Sequence, residues 1–143
     1  MKYKAAIFDF DGVLNDTEGI KFHVWNLIAS RSGKKIDRHF YTKNCCGKSR
    51  EKVAGILKKK YQLNDDLATM NYLKKATTKK ILPHKIKPIK QNINLLKDCY
   101  KNLNGEVGIA TSQDRDIVIP LLKKMKIMRY VKELVAAHEI PNS

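Results

Sequence analysis

The sequence predicts an α/β protein built on a parallel sheet, and three observations carry that expectation. The run Ala5–Phe8 is apolar and β-prone, as a buried strand is. It ends on two carboxylates, Asp9 and Asp11, with Gly12 directly after. That places acidic groups at the carboxyl end of a strand, where open α/β sheets hold their ligands. Helical and strand patterns then alternate in the second half of the chain, with strands predicted at Glu106–Ala110 and Glu133–Ala137.

In an extended chain Asp9 and Asp11 share a face, while Phe8 and Phe10 take the other. Gly12 lets the backbone turn sharply out of the strand. Such a pair can hold a hard cation such as Mg²⁺ through its oxygens. Alternatively one carboxylate acts as nucleophile while the other handles protons. A bare Asp-x-Asp also serves merely to end a strand and cap a turn. The preceding strand and the following Gly-Val-Leu-Asn-Asp-Thr-Glu favour chemistry.

The string Phe8-Asp9-Phe10-Asp11-Gly12-Val13-Leu14, followed by Asp16-Thr17-Glu18, resembles the first motif of the haloacid dehalogenase-like hydrolases. The nearest branch is that of the β-phosphoglucomutase and phosphoglycolate-phosphatase-like enzymes, which carry a small helical cap. The resemblance implies a Rossmann-like, three-layer α/β core over residues 1–16 and 86–143, interrupted by a helical cap over 17–85. It implies that Asp9 is the nucleophile forming an aspartyl-phosphate and that Asp11 is the general acid/base. Mg²⁺ would be bound by the Asp9 side chain and the Asp11 backbone carbonyl. The strand closed by Thr111-Ser112-Gln113 matches the family's second motif. Thr111 would bind the transferring phosphoryl group, and backbone amides near Ser112 and Gln113 would add anion donors. Gly12 counts among the substrate-binding positions. Gly47-Lys48-Ser49-Arg50 resembles the cap loop of the phosphomutase branch, with Arg50 gripping phosphate bidentately. Lys48 reads more simply as a surface residue. The implied activity is that of a phosphatase or phosphomutase acting on a small phosphorylated metabolite such as a sugar phosphate.

The chain holds 29 basic and 14 acidic residues, a net charge of +15. Lysines spread over predicted helix faces, as at Lys58-Lys59-Lys60 and Lys123-Lys124, read mainly as a solvated surface. A field that gathers phosphorylated small molecules comes next. Dedicated nucleic-acid binding ranks last, because aromatics are not interleaved with the basic residues along the sequence. No run of about twenty apolar residues exists, so no transmembrane helix is expected, and no apolar targeting segment precedes the first strand. Cys45, Cys46 and Cys99 are too few and badly spaced for a zinc site or a disulfide framework. Free thiols fit a reducing, cytoplasmic setting.

Within the cap, a helix capped by Asp16 or Thr17 is predicted up to Ser32-Gly33, with Ile20, Val24, Leu27 and Ile28 recurring at helical spacing. His23 reads as structural or exposed. The family often has His three residues after the acid; here Lys21 stands there, a permanent cation unsuited to shuttling protons. Residues 34–48 read as a polar loop. Helices follow from about Ser49 to Tyr61 and from about Asp65 to Leu82, and Pro83-His84 and Pro88 mark the return. The family shows Pro-Gly near this point; Pro88-Ile89 forbids a turn of positive φ, so a different junction is expected. A core helix to about Asn102 and another from Asp114 or Asp116 to Met125 complete the pattern. Pro120 is expected in the early part of the latter.

The family's lysine after the third strand and its later acidic residue have no counterpart here, and Glu139-Ile140-Pro141-Asn142-Ser143 looks like a lead-in to a Lys-Pro pair that does not arrive. The expectation is a truncated product with about three strands, impaired activity, and an apolar edge at Ala5–Phe8 that invites self-association. The alternative is a catalytically inactive fragment that binds an anion or a protein partner.

Overall fold

A computed structural model describes residues 3–137 and 139. The chain folds as two compact units, one running to Thr17 and resuming at Ile86, the other spanning Glu18–Lys85.

The first unit holds the sheet. Strands β1 (Ala6–Phe8), β2 (Val107–Ala110) and β3 (Glu133–Val135) are all parallel, in the order β1-β2-β3. The α/β class and parallel sheet read from the sequence therefore hold. Register aligns Phe8 with Ile109 and Ile109 with Leu134, and this line of side chains is buried. The adjacent line, Ile7 with Gly108 and Gly108 with Glu133, lies on the opposite face because strand side chains alternate. Ile7 there is 76% exposed. Parallel sheets are normally covered on both faces, so this open face is unusual.

Helices α5 (Lys90–Asn102) and α6 (Arg115–Lys124) precede β2 and β3. α5 packs on β2 and buries Ile93 and Leu96, whereas α6 buries Ile117, Val118, Leu121 and Leu122. Each places its apolar residues three and four apart, which puts them on one stripe. Pro120 lies inside α6 as its sixth residue, not in its early part as expected. It is exposed there, on the side where water can serve the backbone that its missing amide does not. Asn104-Gly105 make the turn into β2, both with positive φ.

The second unit is helical. α1 (Glu18–Ser30) packs against α4 (Leu67–Ile81), and α4 against α3 (Arg50–Tyr61). Val24, Trp25, Ile28, Leu57 and Met70 are buried in its core. Truncating a fully buried leucine such as Leu57 to alanine costs about 2–5 kcal/mol. Helix starts are set by side-chain caps: Ser49 accepts from the Lys52 amide at 3.4 Å and Asp66 from that of Thr69 at 2.7 Å. These satisfy amides that a helix leaves without an internal partner.

Residues 34–48 are not the polar loop expected. They contain α2 (Arg38–Asn44), capped by Asp37, whose carboxylate accepts from the Phe40 amide at 2.7 Å. Tyr41 is its one buried residue, too little for hydrophobic periodicity to register. Burial, with the Glu18 charge adding to it, drives the Tyr41 phenol well above its usual range. No helix among the described residues is long and apolar enough to cross a membrane.

Candidate active site

Asp9 follows directly on Phe8, and Thr111 directly on Ala110. Because β1 and β2 are parallel neighbours, both residues emerge at the same end of the sheet, its carboxyl end. Asp9 is exposed, and its Oδ1 accepts from the Phe10 amide at 2.6 Å. That bond fixes the carboxylate on the strand end and leaves Oδ2 for other work. Phe10 is fully buried and anchors the chain between Asp9 and Asp11.

Beyond Asp11 the backbone closes a compact turn. Gly12 takes φ +74°, and its amide donates to the Asn15 carbonyl at 2.8 Å. The Leu14 and Asn15 amides both donate to the Phe10 carbonyl, at 3.0 and 3.1 Å. A side chain at Gly12 would meet nothing within 4 Å, so the requirement there is conformational, not spatial.

At the end of β2 the Thr111 amide donates to the Val135 carbonyl at 2.9 Å, and Thr111 Oγ1 accepts from the Gln113 amide at 3.1 Å. The hydroxyl proton of Thr111 is therefore left to donate outward. The Gln113 amide, expected as an anion donor, is instead engaged by Thr111. Ser112 is exposed at the tip of this turn. The Ala137 amide donates to the Gln113 carbonyl at 3.0 Å, joining the turn to the end of β3.

A clasp closes the end of β3. Arg115 pairs with Glu139 through two nitrogens and also donates to the Leu134 carbonyl at 2.6 Å. Glu139 Oε2 accepts from the Ala136 amide at 2.8 Å. Hydrogen bonding from Arg115, and then from that amide, lowers the Glu139 carboxyl to about 2. His138 and residues 140–143, where a lead-in to a Lys-Pro pair was read, lie outside the described residues.

Sequence reasoning missed Asn15. This residue is fully buried, and its Oδ1 accepts from the Lys87 amide at 2.8 Å. The Asp16 amide donates to the Lys87 carbonyl at 2.9 Å, and the Ile89 amide to the Leu14 carbonyl at 3.0 Å. Asn92 Nδ2 donates to the Val13 carbonyl at 2.8 Å. The loop carrying the two aspartates is thus stitched to the segment leading into α5. Ile89 has φ −86°, so this junction avoids the positive φ that Ile89 would not suit, as expected. A buried asparagine inside an apolar motif was the available signal, since such a residue needs hydrogen-bond partners.

Arg50 belongs to the helical unit. It opens α3, is half-buried, and its Nε lies 3.3 Å from Glu51 Oε1. Lys48 is exposed. Lys21 pairs with Glu18 at 3.0 Å, so that cation is held by a carboxylate, and His23 is exposed. Cys46 Sγ lies 3.3 Å from Glu18 Oε2. All three cysteines are free thiols, and burial foremost pushes Cys45 and Cys46 up and keeps them protonated.

Among the described residues no three His, Cys, Asp or Glu side chains gather into a metal cluster. Any cation at the strand end would rest on Asp9, Asp11 and backbone oxygens. That donor set fits Mg²⁺, which takes hard oxygen ligands, keeps several waters and uses one or two carboxylates beside substrate phosphate. It does not fit zinc, which prefers nitrogen and sulfur.

The profile of the haloacid dehalogenase-like hydrolases matches residues 6–143. A protein of Thermotoga maritima described as a phosphorylated carbohydrates phosphatase is 22% identical over 97% of this chain and 63% of its own length. A T. maritima structure solved as a candidate β-phosphoglucomutase has a TM-score of 0.64 and 24% identity, over 99% of this chain and 64% of its own. A haloacid dehalogenase-like hydrolase candidate from Bacteroides fragilis has a TM-score of 0.83 and 16% identity, over 99% of this chain and 66% of its own. The chain thus spans under two thirds of the length of the first two, and the structural likenesses speak for the fold alone. With its profile match running from the first strand onward, the chain belongs to the haloacid dehalogenase-like hydrolases.

Proposed function

We propose that this chain carries the phosphoryl-transfer site of a Mg²⁺-dependent phosphatase or phosphomutase acting on a small phosphorylated metabolite, a sugar phosphate by class. The observation that carries the reading is the emergence of Asp9 and Thr111 from neighbouring parallel strands, with Asp11 two residues beyond Asp9. The T. maritima relative's description, a phosphatase of phosphorylated carbohydrates, supports the substrate class.

In this reading Asp9 Oδ2 attacks phosphorus in line. The ester P–O bond breaks, and Asp11 gives its proton to the departing alkoxide. The resulting aspartyl-phosphate is then attacked by water, or by a second sugar hydroxyl in a mutase, and Asp11 takes back the proton. The bond from phosphorus to Asp9 breaks, which regenerates the carboxylate. The Thr111 hydroxyl donates to a phosphoryl oxygen throughout. Bound Mg²⁺, held by Asp9 and the Asp11 carbonyl, supplies charge neutralisation for the phosphate. Most of the rate in such transfers comes from positioning and charge stabilisation. Arg50 is proposed as a phosphate grip from the helical unit, and residues 17–85 as the cap that sets specificity. The chain division at Thr17/Glu18 and Lys85/Ile86 supports that role.

A further part of the reading is self-association through β1. Among the described residues β1 has a strand on one side only, and its Ile7 is exposed.

The deciding experiment measures phosphate release from a panel of sugar phosphates and an aryl phosphate, with Mg²⁺ and with chelator, for wild type beside Asp9→Asn. Turnover that needs Mg²⁺ and vanishes in the variant is expected. Release that persists in Asp9→Asn, or no release from well-folded wild type, rejects the catalytic reading in favour of a binding fragment.

A further inference from the structure

The helical unit is strongly basic, and its few acids are all put to use. Residues 18–85 hold 17 Lys and Arg against 5 Asp and Glu, a net +12. Asp37 and Asp66 accept the Phe40 and Thr69 amides, both at 2.7 Å, and so cap α2 and α4. Glu51 lies 3.3 Å from its neighbour Arg50, and Asp65 pairs with Arg31 at 2.9 Å. Glu18 is the fifth. Its Oε1 holds Lys21 at 3.0 Å, within the first turn of α1, and its Oε2 accepts from the Cys46 thiol at 3.3 Å.

Cys46 stands in the turn between α2 and α3. Cys45 closes α2, Gly47 takes φ +75°, Ser49 caps α3 and Arg50 is the first residue of α3. The Lys48 amide donates to the Cys45 carbonyl at 3.2 Å, a bond within the turn. The Ser49 cap is long, 3.4 Å, against 2.7 Å for the caps of α2 and α4. Of these three helices α3 thus has the weakest-capped start, and Arg50 sits on it. The Cys46–Glu18 bond reaches out of the turn to α1, 28 residues away. A thiol is a weak donor, and a charged acceptor strengthens it. Burial foremost, then the Glu18 hydrogen bond and charge, push the Cys46 thiol up and keep the proton on sulfur.

We propose that Cys46 is a positioning residue: its thiol, donating to Glu18, fixes the α2–α3 turn on α1 and so sets how Arg50 presents its guanidinium. The proposal rests on the reading of Arg50 as a phosphate grip. A planar guanidinium grips phosphate through two bonds in one orientation only. Gly47, between Cys46 and Arg50, is the joint about which an untethered turn would swing. Cys46 itself touches no substrate in this scheme.

The test is steady-state kinetics of the full chain on the best sugar phosphate of the panel, joined to a labelling experiment that needs no turnover. Cys46→Ala should raise KM about two- to tenfold, the range that one hydrogen bond commands, with kcat close to wild type. Cys46→Ser keeps a donor and should restore KM. Arg50→Ala should raise KM by itself, and adding Cys46→Ala to it should have no further effect, because the turn then has nothing to position. Glu18→Gln removes the charge that keeps the thiol protonated, so iodoacetamide should alkylate Cys46 faster than in wild type, read by peptide mass. A Cys46→Ala effect that persists undiminished without Arg50, or a Cys46→Ser variant that fails to restore KM, overturns the proposal and leaves the phosphate grip standing. Unchanged labelling in Glu18→Gln denies the bond itself. Arg50→Ala with wild-type KM, or a wild type without turnover, overturns the reading on which the proposal rests, and the positioning role with it.

Discussion

Asn15 and Lys87 are 72 residues apart, yet the Asn15 side chain accepts the Lys87 amide at 2.8 Å. Together with the Asp16–Lys87, Ile89–Leu14 and Asn92–Val13 bonds, this side chain holds the catalytic-loop candidate to the segment that leads into α5. Asn15→Ala removes the acceptor of the Lys87 amide in a part-buried setting, at a cost of about 0.5–1.5 kcal/mol. Urea denaturation of the variant should show that loss with an unchanged m-value.

Thr111 anchors its own turn by accepting the Gln113 amide, and its proton remains to donate. Thr111→Val removes both functions and should lower kcat by about 10²–10³, the usual cost of one oxyanion-type donor. Thr111→Ser should retain most of the rate. Steady-state kinetics on the best sugar phosphate of the panel checks the pair.

The Arg115–Glu139 clasp makes stability depend on pH. Glu139 titrates near 2 when folded, against an ordinary 4.5. The folded carboxyl is the more acidic one, so its contribution is complete above pH 4.5 and is lost as pH falls through 2. Urea midpoints between these pH values should fall less steeply for Glu139→Gln than for wild type.

Ile7 is a large apolar side chain left in water on a strand that, among the described residues, is paired on one side only. Sedimentation of wild type should show concentration-dependent association, and Ile7→Lys should shift it toward monomer. A monomeric wild type that unfolds in one cooperative step would remove the edge as an association site.

Much of this was legible because the signals were local. β1 and its acids, the Ser49 cap of α3 and the Thr-Ser ending of β2 each lie within a few consecutive residues. α2 escaped because seven residues with one buried side chain carry no period; its sign was the Asp37 cap. The stitch at Asn15 escaped because its partner is distant in sequence. An apolar edge at Ala5–Phe8 was legible too, but which of its residues stands in water is decided by neighbours, since in a parallel strand both faces read as apolar. The engagement of the Gln113 amide by Thr111 is turn geometry, which residue type alone does not reveal.

The pairing of Ala6 with Val107 has a consequence for the order of events during synthesis. β1 is translated well before β2 and has no sheet to join until β2 follows. At roughly 5–20 residues per second that interval lasts several seconds. The four α-helices of the unit spanning Glu18–Lys85 lie in between, need no part of the sheet for their own hydrogen bonds and are free to close first. During that interval β1 is an apolar segment with no strand to pair with, open to association with other chains.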